Sequence, residues 1–155
     1  MAIIRKRKTQ ANYLEIDGKY EVLGVGFTEL NESPSAQTTS KRYINQASAT
    51  QSVTGYEWST SFNTDMIKNE VAVEHIRAIG ELQKIGADTE ANYVIVDLDE
   101  QKDGGYRARQ IKIAIAVDSF DDNDGELAIT GSFLGVSDIV EGVFDIEAKT
   151  FTANE

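Results

Sequence analysis

The fold of this chain is decided by residues 106–151, YRARQIKIAIAVDSFDDNDGELAITGSFLGVSDIVEGVFDIEAKTF. Along residues 107–117, arginine, isoleucine and valine occupy the odd positions, while small or polar side chains occupy the even ones. This period of two is typical of a β-strand with two different faces. Residues 121–126, DDNDGE, favour a turn rather than further strand. The arms of this hairpin would be about ten residues each, or about 30 Å.

Three more strands are predicted after that turn, over residues 127–136, 140–146 and 149–152. In the first of them, Leu127, Ile129 and Phe133 share one face. Long strands whose two faces are each only half apolar indicate a sheet that serves partly as core and partly as an assembly surface.

The chain before residue 106 carries further period-two patterns. Residues 13–29 predict a hairpin, because Asp17-Gly18 is the strongest short hairpin signal. Residues 51–63 predict a strand with a buried aromatic stripe of Tyr56, Trp58 and Phe62. Residues 91–99 predict another strand, with Val94, Val96 and Leu98 pointing inward and Tyr93, Asp97 and Asp99 pointing outward.

One helix is predicted over residues 70–84, EVAVEHIRAIGELQK, whose apolar side chains fall on a single arc. Asn69 is expected to cap its start, and Gly86 to end it in left-handed geometry. His75 lies beside the apolar arc and is interpreted as a boundary side chain. The fold class predicted from these elements is mainly β with one α-helix.

The length of 155 residues predicts one domain. We divide the chain into a basic arm at residues 1–12, a β domain at 13–152 and a short tail at 153–155. Residues 30–50 are polar and predict a long loop, which is either flexible or ordered against a neighbouring molecule. The arm holds four consecutive bases, Arg5, Lys6, Arg7 and Lys8, and is either solvated, docked on an acidic neighbouring subunit, or a targeting or nucleic-acid segment.

The net charge of −11 is unevenly placed. Residues 1–84 hold ten acidic and ten basic side chains, while residues 85–155 hold sixteen and five, which accounts for the whole −11. Such a chain is a poor binder of duplex DNA, because contacts to phosphates dominate that affinity. Duplex DNA could still move along the surface of such a protein without binding to it.

Reaction chemistry is not predicted. The chain has no cysteine and a single histidine, so it offers no thiolate metal site and no zinc site that needs two imidazoles. The DDNDGE run fails the spacing of an EF-hand loop. Asp97 and Asp99 are a pair of carboxylates without a sign of catalytic use. We therefore expect no catalytic residue, no cofactor, no metal, no membrane span and no secretory signal.

An ordered set of segments resembles a known family. It comprises the basic arm, YLEIDGKYEVLGVGFTELNESPSAQT, KRYIN, the Trp58 strand, one helix, YVIVDL, RARQIKIAIAV and the ending GSFLGVSDIVEGVFDIEAKTFT. Over residues 10–152 this set resembles the tail tube protein, or major tail protein, of long-tailed non-contractile (siphovirus-type) bacteriophages. No single segment is diagnostic, and residues 131–152 are the most specific part.

The resemblance implies an antiparallel β-sandwich or half-barrel whose inner sheet completes a barrel when six subunits form a ring. It implies a structural virion protein, made in the cytoplasm of the bacterial host, that stacks as hexameric rings into a hollow tube for DNA ejection. The implied partners are copies of itself, a tape-measure protein, distal tail and tail terminator proteins, and double-stranded DNA that passes without specific binding.

Two sets of residues are predicted to serve this assembly. The contacts between subunits are assigned to the arm and the loop, through Arg5, Lys6, Arg7, Lys8, Lys41, Arg42, Tyr43 and Ile44. The lining of the channel is assigned to the polar faces of residues 51–63 and 106–118, through Glu57, Ser59, Ser61, Gln110 and Lys112. Lys112 departs from a purely acidic lining.

The sequence is also compatible with two other functions. A tube-initiating or terminating ring would share the assembly but would not polymerise. A β-sandwich binding module, for example for carbohydrate, would need exposed aromatic side chains on one face. An enzyme is the least supported class.

Overall fold

The computed structural model describes residues 2–154. Eleven strands and one helix follow one another in the order β1 (Gln10–Ile16), β2 (Lys19–Val22), β3 (Phe27–Ser33), β4 (Ala36–Lys41), β5 (Thr50–Tyr56), β6 (Ser59–Asp65), α1 (Val71–Glu81), β7 (Glu90–Lys102), β8 (Gly105–Asn123), β9 (Glu126–Gly135), β10 (Val140–Asp145) and β11 (Thr150–Ala153). Short 3-10 turns at Arg7–Thr9 and Gly86–Thr89 precede β1 and β7. The predicted fold class, mainly β with one helix, is confirmed.

Nine strands form one antiparallel sheet in the order β2-β1-β7-β8-β9-β6-β3, with β10 and β11 attached to the first half of β8. Strands β4 and β5 form a separate two-stranded sheet. Leu14 of β1 and Phe62 of β6 belong to the same apolar core, although four strand-to-strand steps separate them in the sheet. Because neighbouring strands lie about 4.8 Å apart, the sheet must curve around that core.

The main core lies between the concave side of the sheet and α1. Ile111, Ile113 and Ile115 of β8 are buried in it beside Phe133 of β9 and Ile76 of the helix. These isoleucines are the odd-numbered face predicted from the sequence. A second, smaller core lies on the other side of the sheet, where Phe144 of β10 packs on Tyr13 and Tyr20.

The β8–β9 hairpin is longer than predicted. Strand β8 continues through Asp121 to Asn123 and turns only at Asp124 and Gly125, which have φ angles of 54° and 91°. Positive φ at both central residues matches the twist of a two-residue hairpin turn. Acidic residues thus lie within β8 itself. Leu127, predicted to share a face with Ile129 and Phe133, lies in this outer part and is 54% exposed, whereas Ile129 and Phe133 are buried.

The Asp17-Gly18 hairpin is confirmed, with φ angles of 52° and 80° at the turn. Its second arm ends at Val22, so residues 13–29 are not one hairpin: β3 begins at Phe27 and pairs with β6 instead.

The helix is shorter than predicted and its caps differ. Asn69 has a φ of 69° and does not cap α1, whose first turn has no side-chain cap. The helix ends at Glu81, and Gln83 rather than Gly86 takes the left-handed position that closes it, with a φ of 52°. The N–H of Lys84 donates to the carbonyl of Ile79 at 3.0 Å, as in a Schellman motif.

Strand β7 does not have one inward and one outward face. Tyr93 and Asp97, predicted to point outward, are 1% and 4% exposed, while Val94 and Val96 are buried as predicted. The reason is tertiary: α1 and the main core cover one face of β7, and β10 with the second core covers the other.

Candidate assembly and channel surfaces

One face of the large sheet carries small polar side chains that belong to neither core. In β6, β8 and β9, buried residues alternate with partly exposed ones. The register aligns the exposed positions across strands: Ala116 lies beside Ser132, and Ser132 beside Ser61. A second row follows in the same way, with Ala114, Leu134, Ser59 and Ser33. We call this surface the open face.

The charges on the open face are few, and its lysine, Lys112, is paired. The Nζ atom of Lys112 lies 3.3 Å from a carboxylate oxygen of Glu90, so its positive charge is compensated by a neighbour on the same face. Ser61 donates a hydrogen bond of 2.9 Å to Glu29 on β3. Asn92 of β7 donates another, also 2.9 Å, to Glu15 on β1. The surface is therefore small, polar and weakly negative.

The structure brings together four of the five residues predicted to line a channel. Ser59, Ser61 and Lys112 lie on the open face, and Gln110 follows Lys112 on the same side of β8, where its amide donates to the Tyr20 hydroxyl at 2.5 Å. Glu57 is the exception. It lies in the connection between β5 and β6, outside both sheets, because residues 51–63 form two strands rather than one.

The predicted aromatic stripe is broken for the same reason. Trp58 and Phe62 are buried in the main core, but Tyr56 ends β5 and is 66% exposed. Strand β5 pairs with β4 and not with the large sheet, so its side chains lie outside the core.

A partly buried ionic cluster fixes β3 against β8. Both terminal nitrogens of Arg109 donate to Glu32, at 2.9 and 3.0 Å, and the indole N–H of Trp58 donates to the same carboxylate at 2.6 Å. Burial acts to raise the pKa of Glu32, but the hydrogen bonds from Arg109 and Trp58 outweigh it, so the pKa lies below its ordinary value. The cluster holds the only tryptophan in place.

A second cluster joins β7, β8 and β10. The guanidinium of Arg107 donates to Asp97 and to Glu141, each at 2.7 Å. The hydrogen bonds to Glu141 and Asp97 raise the pKa of Arg107 above its usual value. The two carboxylates noted as a pair on the sequence are engaged in structural contacts, Asp97 here and Asp99 with Arg5.

Sequence reasoning missed both clusters. The available signal was the pair of arginines at odd positions of β8, on the face that otherwise carries isoleucine. Charged side chains on a core face need partners, but Glu32 is 77 residues away from Arg109 in the chain. Nothing local selects it from the other carboxylates.

The segment predicted as a long loop is a projecting hairpin. Residues 30–50 contain the end of β3 and all of β4, which pairs with β5. Every residue of β4 is exposed. At the tip, Tyr43 is 53% and Ile44 108% exposed, and the Lys41 ammonium lies 5.8 Å from the centre of the Tyr43 ring. The predicted contact residues Lys41, Arg42, Tyr43 and Ile44 are therefore grouped at the end of an arm.

The amino-terminal arm lies on the surface of its own chain. Arg5 forms ion pairs with Asp99, at 3.6 Å, and with Glu100. Arg7 donates to the carbonyl of Gln10 and to the side chain of Asn12, so its partners are uncharged. Lys6, Arg7 and Lys8 have no carboxylate within 4.0 Å in residues 2–154.

Other kinds of site find no support in the described residues. Over residues 2–154, no cluster of three or more potential metal-ligating side chains occurs, and no helix has the length and apolarity needed to cross a membrane. His75 is half-buried on α1, and its pKa is lowered by burial and then by the nearby charge of Lys84.

Comparison with solved structures identifies the fold. The chain is similar to a chain in the tail of an empty gene transfer agent particle refined with C6 symmetry (TM-score 0.64, 16% identity, 97% of this chain and 100% of that one). It is similar to a chain of the native gene transfer agent virion (TM-score 0.62, 15% identity, 97% and 100%). It also matches a chain of the six-fold symmetrised anti-feeding prophage baseplate (TM-score 0.57, 9% identity, 91% and 97%).

The chain has the fold of these tail and baseplate chains. The similarity spans nearly its whole length, 91 to 97% of this chain. No protein-family model and no curated protein matches the sequence. Because the identities are 9 to 16%, the similarity concerns the fold alone.

Proposed function

We propose that this chain is a structural subunit of a phage-like tail tube of the siphovirus type. In this proposal six copies form a ring, and rings stack into a hollow conduit for DNA ejection, assembled around a tape-measure protein and ended by distal and terminator proteins. The subunit is made in the cytoplasm of the bacterial host, functions in the virion and has no enzymatic role.

The observation that carries the proposal is the open face. A sheet that buries one side against its own helix and presents rows of mainly serine and alanine on the other, with Leu134 as the large apolar exception, is suited to the wall of a channel. Small side chains leave the bore wide, and a weakly negative surface does not bind the phosphates of passing DNA. This face carries three carboxylates, Glu15, Glu29 and Glu90, and one lysine, Lys112. The charge of Lys112 is in addition compensated by its ion pair with Glu90.

Ring closure also explains the free edges of the sheet. Strands β2 and β3 end the strand order, and among residues 2–154 each has a neighbouring strand on one side only. Unpaired edges promote aggregation unless they are covered, and a closed ring of sheets covers them. The C6 symmetry of the gene transfer agent tail, which contains a chain of this fold, supports a ring of six.

The first test is the appearance of purified, concentrated protein in negative-stain electron microscopy. We expect hollow tubes of uniform diameter with a visible axial channel. Protein that stays monomeric at all concentrations and salt conditions would contradict the proposal.

The second test concerns the face that lines the channel. Because the chain has no cysteine, Ser61→Cys and, on the outer face of α1, Glu81→Cys give two single labelling sites. In assembled tubes a small maleimide should label both, whereas a bulky polyethylene-glycol maleimide should label only Glu81→Cys. In monomers both reagents should label both positions. Rapid reaction of Ser61→Cys with the bulky reagent in tubes would place the open face on the outside.

A tube initiator is the second candidate, because one of the matching chains belongs to a baseplate. Such a subunit forms one ring and then accepts a different protein. Purified protein would then give rings without tubes, so the same micrographs distinguish the two functions.

A further inference from the structure

Strand β8 has a free edge in its outer half. Strand β7 begins at Glu90, opposite Ala114, so β8 beyond Ala114 is paired with β9 on one side and with no strand on the other in residues 2–154. An unpaired edge presents backbone N–H and C=O groups that can accept another strand.

An apolar groove of about 420 Å³ runs along this edge. Its apolar lining comprises Ile79 and Ile85 from the helix end and the following loop, and Ala116, Val117 and Leu134 from the sheet, where Ala116 and Leu134 also belong to the open face. Gln83, Lys84 and Thr89 are its polar lining residues. Ile85 is 82% and Leu134 45% exposed, so the groove has apolar walls and no apolar occupant in the described chain.

Beyond the groove lies a concentration of negative charge. The outer part of the β8–β9 hairpin carries Asp118, Asp121, Asp122, Asp124 and Glu126 without an intervening base. None of these five has a cation within 4.0 Å in the described part of the chain. Asp121 and Asp122 only accept hydrogen bonds from Ser119 and from the N–H of Gly125.

The amino-terminal arm has the complementary properties. Ile3 and Ile4 are 82% and 81% exposed, residues 2–6 are in no strand or helix, and Lys6, Arg7 and Lys8 lack carboxylate partners. The backbone of residues 2–6 is thus available for strand addition.

The two features lie at opposite ends of the same long strands. Arg5 holds the arm at Asp99 and Glu100, beside the turn where β7 passes into β8, whereas the groove and the acidic tip lie at the far end of β8. At about 3.3 Å per residue, the 11 residues from 106 to 117 separate them by about 36 Å. The arm therefore cannot reach the groove of its own chain.

We infer that the arm of one copy docks on the free edge of β8 in another copy, with Ile3 and Ile4 at the apolar groove and the cations of residues 6–8 facing the acidic tip. This inference rests on the proposed function and specifies a contact within it. A head-to-tail contact between different surfaces is not self-limiting, so it can repeat along a stack of rings.

Disulfide trapping between two separately purified variants tests this contact. Ile4→Cys and Ala116→Cys are mixed, allowed to assemble and oxidised, which should give a mixed disulfide dimer as the main product. The matched control replaces Ala116→Cys by Lys19→Cys, an exposed position on the β1–β2 turn, and should give little. Equal yields from the two pairs would overturn the inference.

Charge exchange provides the second test. The charge of the arm is reversed by Lys6→Glu, Arg7→Glu and Lys8→Glu. This variant should need a protein concentration roughly tenfold higher, or more, for assembly. Combining it with Asp121→Lys, Asp122→Lys and Asp124→Lys in the same chain should restore assembly. Circular dichroism is used to verify that each variant is folded, and all six positions are on the surface.

The outcomes separate the docking site from the function. If tubes form but the mixed disulfide is absent and the charge exchange does not rescue, the arm does not dock there and the tube proposal stands. If the unmodified protein forms neither rings nor tubes, and no mixed disulfide appears, both are overturned.

Discussion

Single side chains decide how the core and the sheet are joined. Glu32 is held by Arg109 and Trp58, and these three residues come from three different strands or connections. A carboxylate with this many charge-assisted hydrogen bonds is stabilised in its ionised form. The contact therefore makes the stability of the fold depend on pH.

Glu32→Gln should lower the free energy of unfolding by about 1–3 kcal/mol at neutral pH, because Arg109 loses a charged partner. The pKa of Glu32 is lower in the folded protein than its ordinary value of 4.5. Its stabilising effect is hence complete above about pH 4.5 and is lost as the pH falls through the folded value. Thermal unfolding of both proteins between pH 7 and pH 3 should show the difference between them shrinking below pH 4.5. A constant difference would contradict this role.

Gly131 is required by the close approach of two strands. A Cβ atom there would lie 2.1 Å from the carbonyl oxygen of Ala116 and 2.9 Å from the Phe62 ring. Gly131→Ala should therefore destabilise the fold by about 1–3 kcal/mol or more, since backbone must move to relieve the overlap. Gly55→Ala is the matched control, because a Cβ at Gly55 meets nothing within 4 Å. Chemical denaturation of both variants checks this, and equal stabilities would show that β8 and β9 can separate at no cost.

At the scale of elements, the β4–β5 hairpin is the part that the domain can lose. It forms its own two-stranded sheet, and its residues take no part in either apolar core. Its exposed side chains, among them Tyr43, Ile44, Val53 and Tyr56, leave apolar surface that the isolated domain does not use.

Replacing residues 37–55 by Asn-Gly should leave a folded domain that no longer assembles. Ala36 pairs with Tyr56, so a two-residue turn can join them directly. We expect the melting temperature to change by no more than about 5 °C, because few buried contacts are removed. Light scattering should show no polymer. A variant that still forms long tubes would show that the hairpin is not a contact between subunits, and Ile44→Ser provides a milder variant with the same expected direction.

Element prediction from the sequence succeeded where local pattern was sufficient. The alternation along β8 and the Asp-Gly turn between β1 and β2 depend on neighbouring residues, and both were predicted. The prediction for Tyr93, Asp97 and Tyr56 was wrong because it depended on which distant element covers each face. The predicted helix caps were wrong because Asn69, before the helix, and Gln83, after it, both take left-handed conformations.

At the scale of the whole molecule, charge and shape set the proposed role. The chain carries a net charge of −11 and presents a weakly negative open face. A tube lined by this face should let DNA pass, because Lys112 on the open face is paired with Glu90 and the other named charges of the face are negative. Making the charge of the open face positive should abolish the free passage of DNA.

Ser61→Lys combined with Ser132→Lys adds two cations per subunit to adjacent strands of the open face. Tubes assembled from this variant in the presence of short duplex DNA should retain the DNA in a nuclease-resistant form, and retention should fall steeply with salt. Tubes of the unmodified protein should retain none. Glu74→Lys with Glu81→Lys on the outer face of α1 is the control, and DNA bound there should stay sensitive to nuclease. Protection by the control but not by the Ser61 variant would contradict the assignment of the channel.

The sequence by itself determined most strands of the large sheet, the single helix, the uneven charge and the absence of cysteine, because these depend on composition and on residues close together in the chain. It did not predict β4 or the division of residues 51–63 into two strands. Only the tertiary structure decided which faces are buried, which carboxylate each arginine meets and where the free edge of β8 lies. Those features depend on contacts between residues far apart in the chain. Curvature of the sheet and the cover provided by α1 and β10 create them, and no local pattern encodes either.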